Sequence, residues 1–549
     1  LLNTNRLNIC LSNTKKDLNV FLRLLIDELK ILWHSGVETF DQSQKNNFHM
    51  RAALMWTISD FPALAQLKGW STKGKCGCPV CLGSVKGFQL KNCGKPCWYG
   101  TNRIFLNEND SLRKKGPKFA STERAVFRGR MSGEYEISTF NHLQFPPPGR
   151  LTKQRALGYG KEHNWTSRPI FYELEYWSSL RLRHCIDVMH TEKNVFENVF
   201  YTIVDDRFKS KDHNKSRMDC KELGVMSGLW LNNGVKPKAR FTLTRPQLRQ
   251  LCEWVSSLNL PDGCCSNLAR CVKMDILKFH GLKSHDCHIF MQKLMSIAFR
   301  EFLPRDILDA LAALSNYFVD ICSTILVRSD LELLEKSIVK TLCVLETIFP
   351  PSFFDIMEHL VLHLAEECRL GGPVHYRWMY PFERLLKFMK DKIKNKARVE
   401  GSIAEKYVEE ETVNFCSYYF KSNVGTVHNT VGRNEVAVEK QDDSILEVFR
   451  YPIECLGKHV VRYLDDDEYF IAEYYVLLNM PEVQPYIRYV YFVKKFIKCT
   501  FESCFNYPHF CVENTHLIRV QRPKKSNQFS RLNSKFGSRK RKHINYILY

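Results

Sequence analysis

Apolar and polar positions alternate along this chain in several distinct rhythms. From Lys16 to Trp33, "KDLNVFLRLLIDELKILW", apolar residues (Val20, Leu22, Leu24, Leu25, Leu29 and Leu32) fall at helical spacing, which predicts an amphipathic helix. The nearly continuous run Arg51–Ile58, "RAALMWTI", reads as a buried strand that ends on a carboxylate, Asp60. Gly69, Gly74 and Gly77 then break the pattern into a loop carrying Cys76, Cys78 and Cys81. Residues 84–170 hold Lys, Arg, Gly and Pro without a period, including Pro146-Pro-Pro-Gly149, and read as an irregular basic excursion. Helical spacing returns over Leu180–Val204, and residues 205–240 are polar, with a linker placed at 211–240. From Thr242 to Tyr419 helical stripes dominate, punctuated by Pro304 and Pro350-Pro351.

Beyond that the rhythm changes again. A second linker is expected at 421–445, and alternating aromatic and β-branched residues over 446–500 predict a small strand-rich module. The remainder, 501–549, is a basic tail in which ten Lys or Arg and no acid lie between Arg519 and His543. Its "GSRKRKH" reads as a nuclear-import or nucleic-acid patch, or as a solvated tail. The pattern divides the chain into 1–210, the linker 211–240, a helical domain 241–420, the linker 421–445, the module 446–500 and the tail.

Charge and cysteine content narrow the partners and the compartment. A formal charge of +21 attracts polyanions, nucleic acid foremost. The 21 cysteines are odd in number and irregularly spaced, unlike a secreted disulfide framework. No N-terminal stretch has a signal-peptide layout, and no run of about 18 apolar residues suggests a membrane span. Reduced intracellular thiols, some of them on metal, are the expectation.

Two kinds of chemistry fit the residues. Cys78-x-x-Cys81 is half of a tetrahedral zinc site and needs two further ligands. Spacing leaves three candidates open: His359 and His363 at i and i+4 in "MEHLVLHLAEE", Asp187 and His190 in "RHCIDVMH", and His285 and His288 in "KSHDCH". Asp60 at a strand tip could serve a metal-dependent phosphoryl-transfer site, or simply cap a helix before Phe61-Pro62. Glu383, in the first turn after Pro381, precedes a basic stretch: Arg384, Lys387, Lys390, Lys392, Lys394, Lys396 and Arg398. A basic helix there would follow a phosphate backbone, or be a solvated face.

Longer motifs carry a resemblance. "LMWTISDFPALAQLKGWSTKGKCGCPVC" and "LRHCIDVMHTEKNVFENV" resemble the transposase domain of plant CACTA (En/Spm) DNA transposons. "GLKSHDCHIFMQKLMSIAFREFLP", "IFPPSFFDIMEHLVLHLAEECRLGGPVHYRWMYPFER" and "NKARVEGSIAEKYVEEETVNFCSYY" resemble the plant-specific domain of unknown function that follows it. "YYVLLNMPEVQPYI" resembles a further C-terminal piece, so the likeness spans roughly residues 10–485.

The resemblance implies a mixed α/β fold: a partial RNase H-like catalytic core with a large, mostly helical insertion. It also implies a DDE-type enzyme using Mg²⁺ or Mn²⁺ to cut and join DNA in the nucleus, with homo-oligomers possible. In that layout Asp60 matches the second catalytic Asp and Glu383 the final Glu, with Glu192 as the runner-up. Cys78 and Cys81 match a CxxC that shares a structural Zn²⁺ with His359 and His363.

The family's first catalytic Asp sits in an Asp-Gly-Phe segment for which this chain has no counterpart. That predicts a transposase-derived protein without nuclease activity of its own. The alternatives are a non-catalytic DNA- or chromatin-binding remnant, and a CxxC oxidoreductase, which the lack of a βαβ setting around Cys78 disfavours.

Overall fold

The structure is a computed structural model that describes residues 18–114, 123–145, 155–258, 260, 267–395, 397–421 and 424–426. The expected strand-rich module, the basic tail and Lys396 lie outside the described residues. Two compact units divide the chain, Leu1–Val408 and Glu409–Tyr549. Everything below concerns the first, apart from the last turns of the final helix.

The architecture is mixed α/β with helices dominating, and among the described residues each sheet has only two strands. Helix α1 (Leu18–His34) buries Leu18, Leu22, Ile26, Leu29 and Leu32, a stripe with three- and four-residue spacing. Val20 and Leu24, expected in that stripe, face solvent instead. The buried stripe packs on Ile170, Phe171, Leu174 and Trp177, and each fully buried leucine there contributes about 1.5–3 kcal/mol. The hairpin β1 (Val37–Asp41) and β2 (Asn46–Met50) follows.

The expected strand over Arg51–Ile58 is reduced to β3 (Thr57–Ser59). Asp60 ends it by capping helix α2 (Phe61–Lys68), its Oδ1 accepting from Ala63 N–H at 2.8 Å, with Pro62 in the first turn. Gly69 closes α2 at φ 66°, where a Cβ would meet the Ser167 carbonyl oxygen at 2.5 Å. The cysteine loop and the basic excursion hold the short pair β4 (Phe88–Gln89) and β5 (Pro96–Cys97), then α3 (Gly133–Phe140).

Strand β6 (His184–Ile186) lies inside the stretch expected to be all helical. It pairs in parallel with β3, Thr57 opposite His184 and Ser59 opposite Ile186. A three-residue strand leaves too little alternation to register against the long helix α4 (Val188–Ile203) that follows.

The linker expected at 211–240 is also packed structure. Helix α5 (Asn214–Glu222) buries Ser216, Arg217 and Cys220, because Arg217 forms a buried pair with Asp212. The polarity that suggested a linker is spent on internal ion pairing.

The helical region follows the expected stripes. It contains α6 (Arg245–Ser257), the small hairpin β7 (Val272–Lys273) and β8 (Lys278–Phe279), and α7 (Ser284–Ile289), which runs through a π-turn (Phe290–Leu294) into α8 (Met295–Ala298). Then come α9 (Arg305–Ile321), α10 (Arg328–Leu345), α11 (Ile356–Gly371), α12 (Tyr380–Asp391) and α13 (Val399–Ser417). Helix α11 is the hub: it packs on α10, α9, α4 and β6, and is buried almost all round. Among the described residues no helix is long and apolar enough to cross a membrane.

Candidate metal and carboxylate centre

The tight turn Cys78–Cys81 is built by the backbone. Leu82 N–H donates to the Cys78 carbonyl at 3.2 Å, and Cys81 N–H donates to Cys78 Sγ at 3.4 Å. Gly77 is required there, since a Cβ would come 2.7 Å from the Thr72 carbonyl oxygen. Facing this turn is the buried side of α11. Asp355 caps α11 and Glu358 returns the bond to Asp355 N–H, so the helix begins one turn before His359.

Two pairs of side chains separated by 278–285 residues meet here. Cys78 Sγ lies 3.4 Å from His363 Nε2, and Cys81 Sγ lies 3.4 Å from both His359 Nε2 and His363 Nε2. The two Nε2 atoms are 3.4 Å apart. A tetrahedral zinc ion with Zn–S of about 2.3 Å and Zn–N of about 2.0 Å sets ligand–ligand edges of roughly 3.3–3.8 Å. The S₂N₂ set therefore fits zinc in donor type and in spacing.

The surroundings are dry. Trp98 stacks on His359 at 4.2 Å, and Phe105 presents its ring to both histidines. Burial pushes the Cys78 thiol up, but sharing a proton with Cys81 and the nearby histidines outweighs this and holds Cys78 well below its usual range. Cys81 rises well above, through burial and the Cys78 thiolate. The pull on Cys78 is toward the thiolate, the form that binds metal. His359 Nδ1 is buried without a hydrogen-bond partner, so ring packing on Trp98 rather than a carboxylate sets that ring's orientation.

From this hub the chain reaches two strand tips. On α11, Glu367 accepts from Ile186 N–H at 2.9 Å and from Arg130 at 2.9 Å, tying the helix to the last residue of β6. The next residue, Asp187, caps α4. Its oxygens accept from Met189 N–H (3.3 Å), His190 N–H (3.1 Å), Met379 N–H (3.0 Å) and the His190 ring Nδ1. The other ring nitrogen, His190 Nε2, lies 3.2 Å from Glu383 Oε1. Both nitrogens face carboxylates, an arrangement that only the doubly protonated ring satisfies. Burial disfavours that cation, but Asp187, then Glu383 and Asp60, outweigh it and raise the His190 pKa.

Thus Asp60, Asp187, His190 and Glu383 share one neighbourhood, with Glu383 nearly half exposed on the first turn of α12. The signal for β6 was too short to show that Asp187 stands beside Asp60.

Other candidates go elsewhere. Asp187 and His190 are not among the four converging Cys and His side chains, nor are His285 and His288. Glu192 is buried, accepting from His288 Nδ1 at 2.7 Å and Gln292 at 2.9 Å. The basic helix expected over Arg384–Arg398 stops at Asp391, because Asn395 and Ser402 turn the chain toward α13. Arg384, Lys387 and Lys390 remain exposed on α12, Lys392 lies 3.7 Å over the Phe388 ring, and Lys394 and Arg398 follow on the exposed turn.

Comparison with known families gives two matches. Residues 9–141 match the transposase family tnp2, and residues 321–435 match a domain of unknown function, DUF4218. The first covers Asp60 and the cysteine turn; the second covers α11 and Glu383. Neither a curated protein nor a solved structure matches the chain.

Proposed function

We propose that this transposase-derived chain is of the CACTA (En/Spm) type, that its β3–β6 pair belongs to an RNase H-like core, and that it acts on DNA in the nucleus. The observation that carries the reading is the meeting of Cys78 and Cys81 with His359 and His363. The two matched segments, far apart in sequence, each supply half of that cluster.

In this reading Zn²⁺ is structural. Its four protein ligands leave no open position, and it staples the loop behind Asp60 to the helix that leads to Glu383. Asp60 and Glu383 are the carboxylates for a divalent ion, Mg²⁺ or Mn²⁺, which when bound supplies the positive charge that activates water or a DNA 3′-hydroxyl. Asp60 is fixed by its cap bond to Ala63 N–H. Asp187 spends its oxygens on backbone N–H groups and the His190 ring, so it positions rather than ligates. His190 holds a proton at Nε2 against Glu383 and neutralises one charge of the cluster. Arg384, Lys387, Lys390, Lys392, Lys394 and Arg398 follow Glu383 and offer positive charge to phosphates.

A second reading, a DNA- or chromatin-binding protein without nuclease activity, is favoured by the commitment of Asp187. Among the described acidic residues of the site, Asp60 and Glu383 remain for ions, one carboxylate short of a two-ion centre. The experiment is DNA binding and cleavage by purified chain with Mn²⁺. Salt-sensitive binding without cleavage is expected. Cleavage abolished by Asp60→Ala would establish a complete catalytic centre instead. Absence of binding at low salt would remove DNA as the partner.

A further inference from the structure

The "KSHDCH" segment has no part in the zinc cluster, yet it contributes to a second buried polar cluster. His288 on α7 lies 2.7 Å from Glu192 on α4, and Gln292, on the π-turn, lies 2.9 Å from the other Glu192 oxygen. Burying a carboxylate costs free energy unless it is paired, and here both oxygens are paired by groups from another element. The π-turn widens the helix at Gln292, which lets its side chain reach Glu192 and the Phe318 carbonyl together.

The far side of this cluster faces the chain that enters α12. The His288 ring meets Trp378 (centroids 6.1 Å, 82°) and Tyr380 (6.2 Å, 71°), and His285 meets Tyr380 edge-on at 6.0 Å. Trp378 and Tyr380 flank Met379, whose N–H donates to Asp187 Oδ1. Glu383 N–H then donates to the Met379 carbonyl at 2.8 Å. Residues 378–380 are therefore held by Asp187 on one side and by the α7 imidazoles on the other, and the first turn of α12 grows from them.

We propose that Glu192 and His288 are a positioning pair. Through Trp378 and Tyr380 they fix where α12 starts, and so where Glu383 stands relative to His190 and Asp60. The proposal rests on the reading of Glu383 as a ligand for a divalent ion. The same cluster includes Cys322, with ligand atoms of Glu192, His288 and Cys322 all within 4.8 Å of one another. Because both Glu192 oxygens already have partners, positioning is the role argued for it.

The test uses the full chain and two readouts. Hydrogen exchange of a peptide covering residues 374–383 reports the clamp without needing metal. Mn²⁺ affinity, from the paramagnetic signal of free Mn²⁺, reports the consequence. In His288→Ala and Glu192→Ala, exchange at Met379 is expected to accelerate, and Mn²⁺ binding to weaken by about 10–100-fold. Zinc content should stay unchanged. Glu192→Gln, which keeps an acceptor for His288, should restore most of both. A lowered melting temperature with unchanged local exchange would make the pair mere core packing and overturn the proposal. So would a second equivalent of zinc in the native chain that disappears in Cys322→Ala. If the native chain shows no Glu383-dependent Mn²⁺ binding, the reading of Glu383 fails, while exchange at Met379 still decides the clamp.

Discussion

Asp60 and Asp187 leave the same edge of a parallel strand pair side by side, since Ser59 and Ile186, the residues before them, are register partners. Their surroundings give them different work. Asp60 caps α2 through Ala63 N–H, whereas Asp187 holds two N–H groups of α4, the His190 ring and Met379 N–H. Asp187→Ala should therefore cost about 1–3 kcal/mol in urea unfolding, because several donors lose a buried partner. Asp60→Ala should cost only about 1 kcal/mol, the value of one cap, while removing most of the Mn²⁺ affinity. The opposite ranking in stability would show that Asp187 is not the organiser of this corner.

Zinc content is the second check. The four converging ligands predict one zinc per chain by elemental analysis, lost in Cys78→Ser or His363→Ala. A strong chelator should lower the thermal midpoint and loosen α11 against the cysteine loop, since the metal's binding energy is also folding energy. Acid should release the ion, because each thiolate and imidazole must then take a proton. Metal-free chain with an unchanged midpoint would contradict the staple.

Two buried groups give stability a pH dependence of opposite sign. Burial, helped by Lys68 and Arg183, pushes His184 down to about 3. The unfolded chain then binds the extra proton first, so this group's contribution is present above about 6.5 and is lost as pH falls toward 3. Burial pushes Glu346 up to about 8 against its bonds from Gly100 N–H and Asn102. Here the folded chain keeps the proton, so the contribution is present below about 4.5 and is lost as pH rises toward 8. His184→Gln should flatten the rise in stability between about pH 3 and 6.5, and Glu346→Gln the fall between about pH 4.5 and 8, each by up to about 1.4 kcal/mol per pH unit. Urea midpoints measured from pH 4 to pH 8.5 would read both.

Some of the centre was legible from residue spacing and some was not. The i, i+4 spacing of His359 and His363 places both on one face of a helix, and the Cys78–Cys81 turn announces half of a metal site. Which histidines the cysteines face was not legible from spacing, because the partners lie 278–285 residues away and two other pairs had equal claim. Strand β6 escaped detection because three residues cannot show alternation, and with it went the neighbourhood of Asp60 and Asp187. Residues 211–240 read as a linker because Asp212 and Arg217 look solvated until their mutual pairing is seen. The basic stretch after Glu383 looked like one helix because Lys and Arg are good helix formers, and the turn at Asn395 depends on Ser402.

That turn shapes the last prediction. Arg384, Lys387 and Lys390 project from α12 just beyond Glu383, with only Met389 of the helix fully buried. If they meet phosphates, replacing all three with alanine removes up to three counterion-releasing contacts. The slope of log affinity against log salt should then fall by about 2.7, at roughly 0.9 per contact on duplex DNA. Binding should weaken about equally for unrelated sequences, since phosphate contacts carry no base information. The same change at Arg305, Arg328 and Lys340, exposed cations on α9 and α10, lowers the net charge by the same three units on other helices and should alter the slope far less. Equal effects from the two sets, measured by fluorescence anisotropy across a salt series, would mean that overall charge rather than the α12 face draws the DNA.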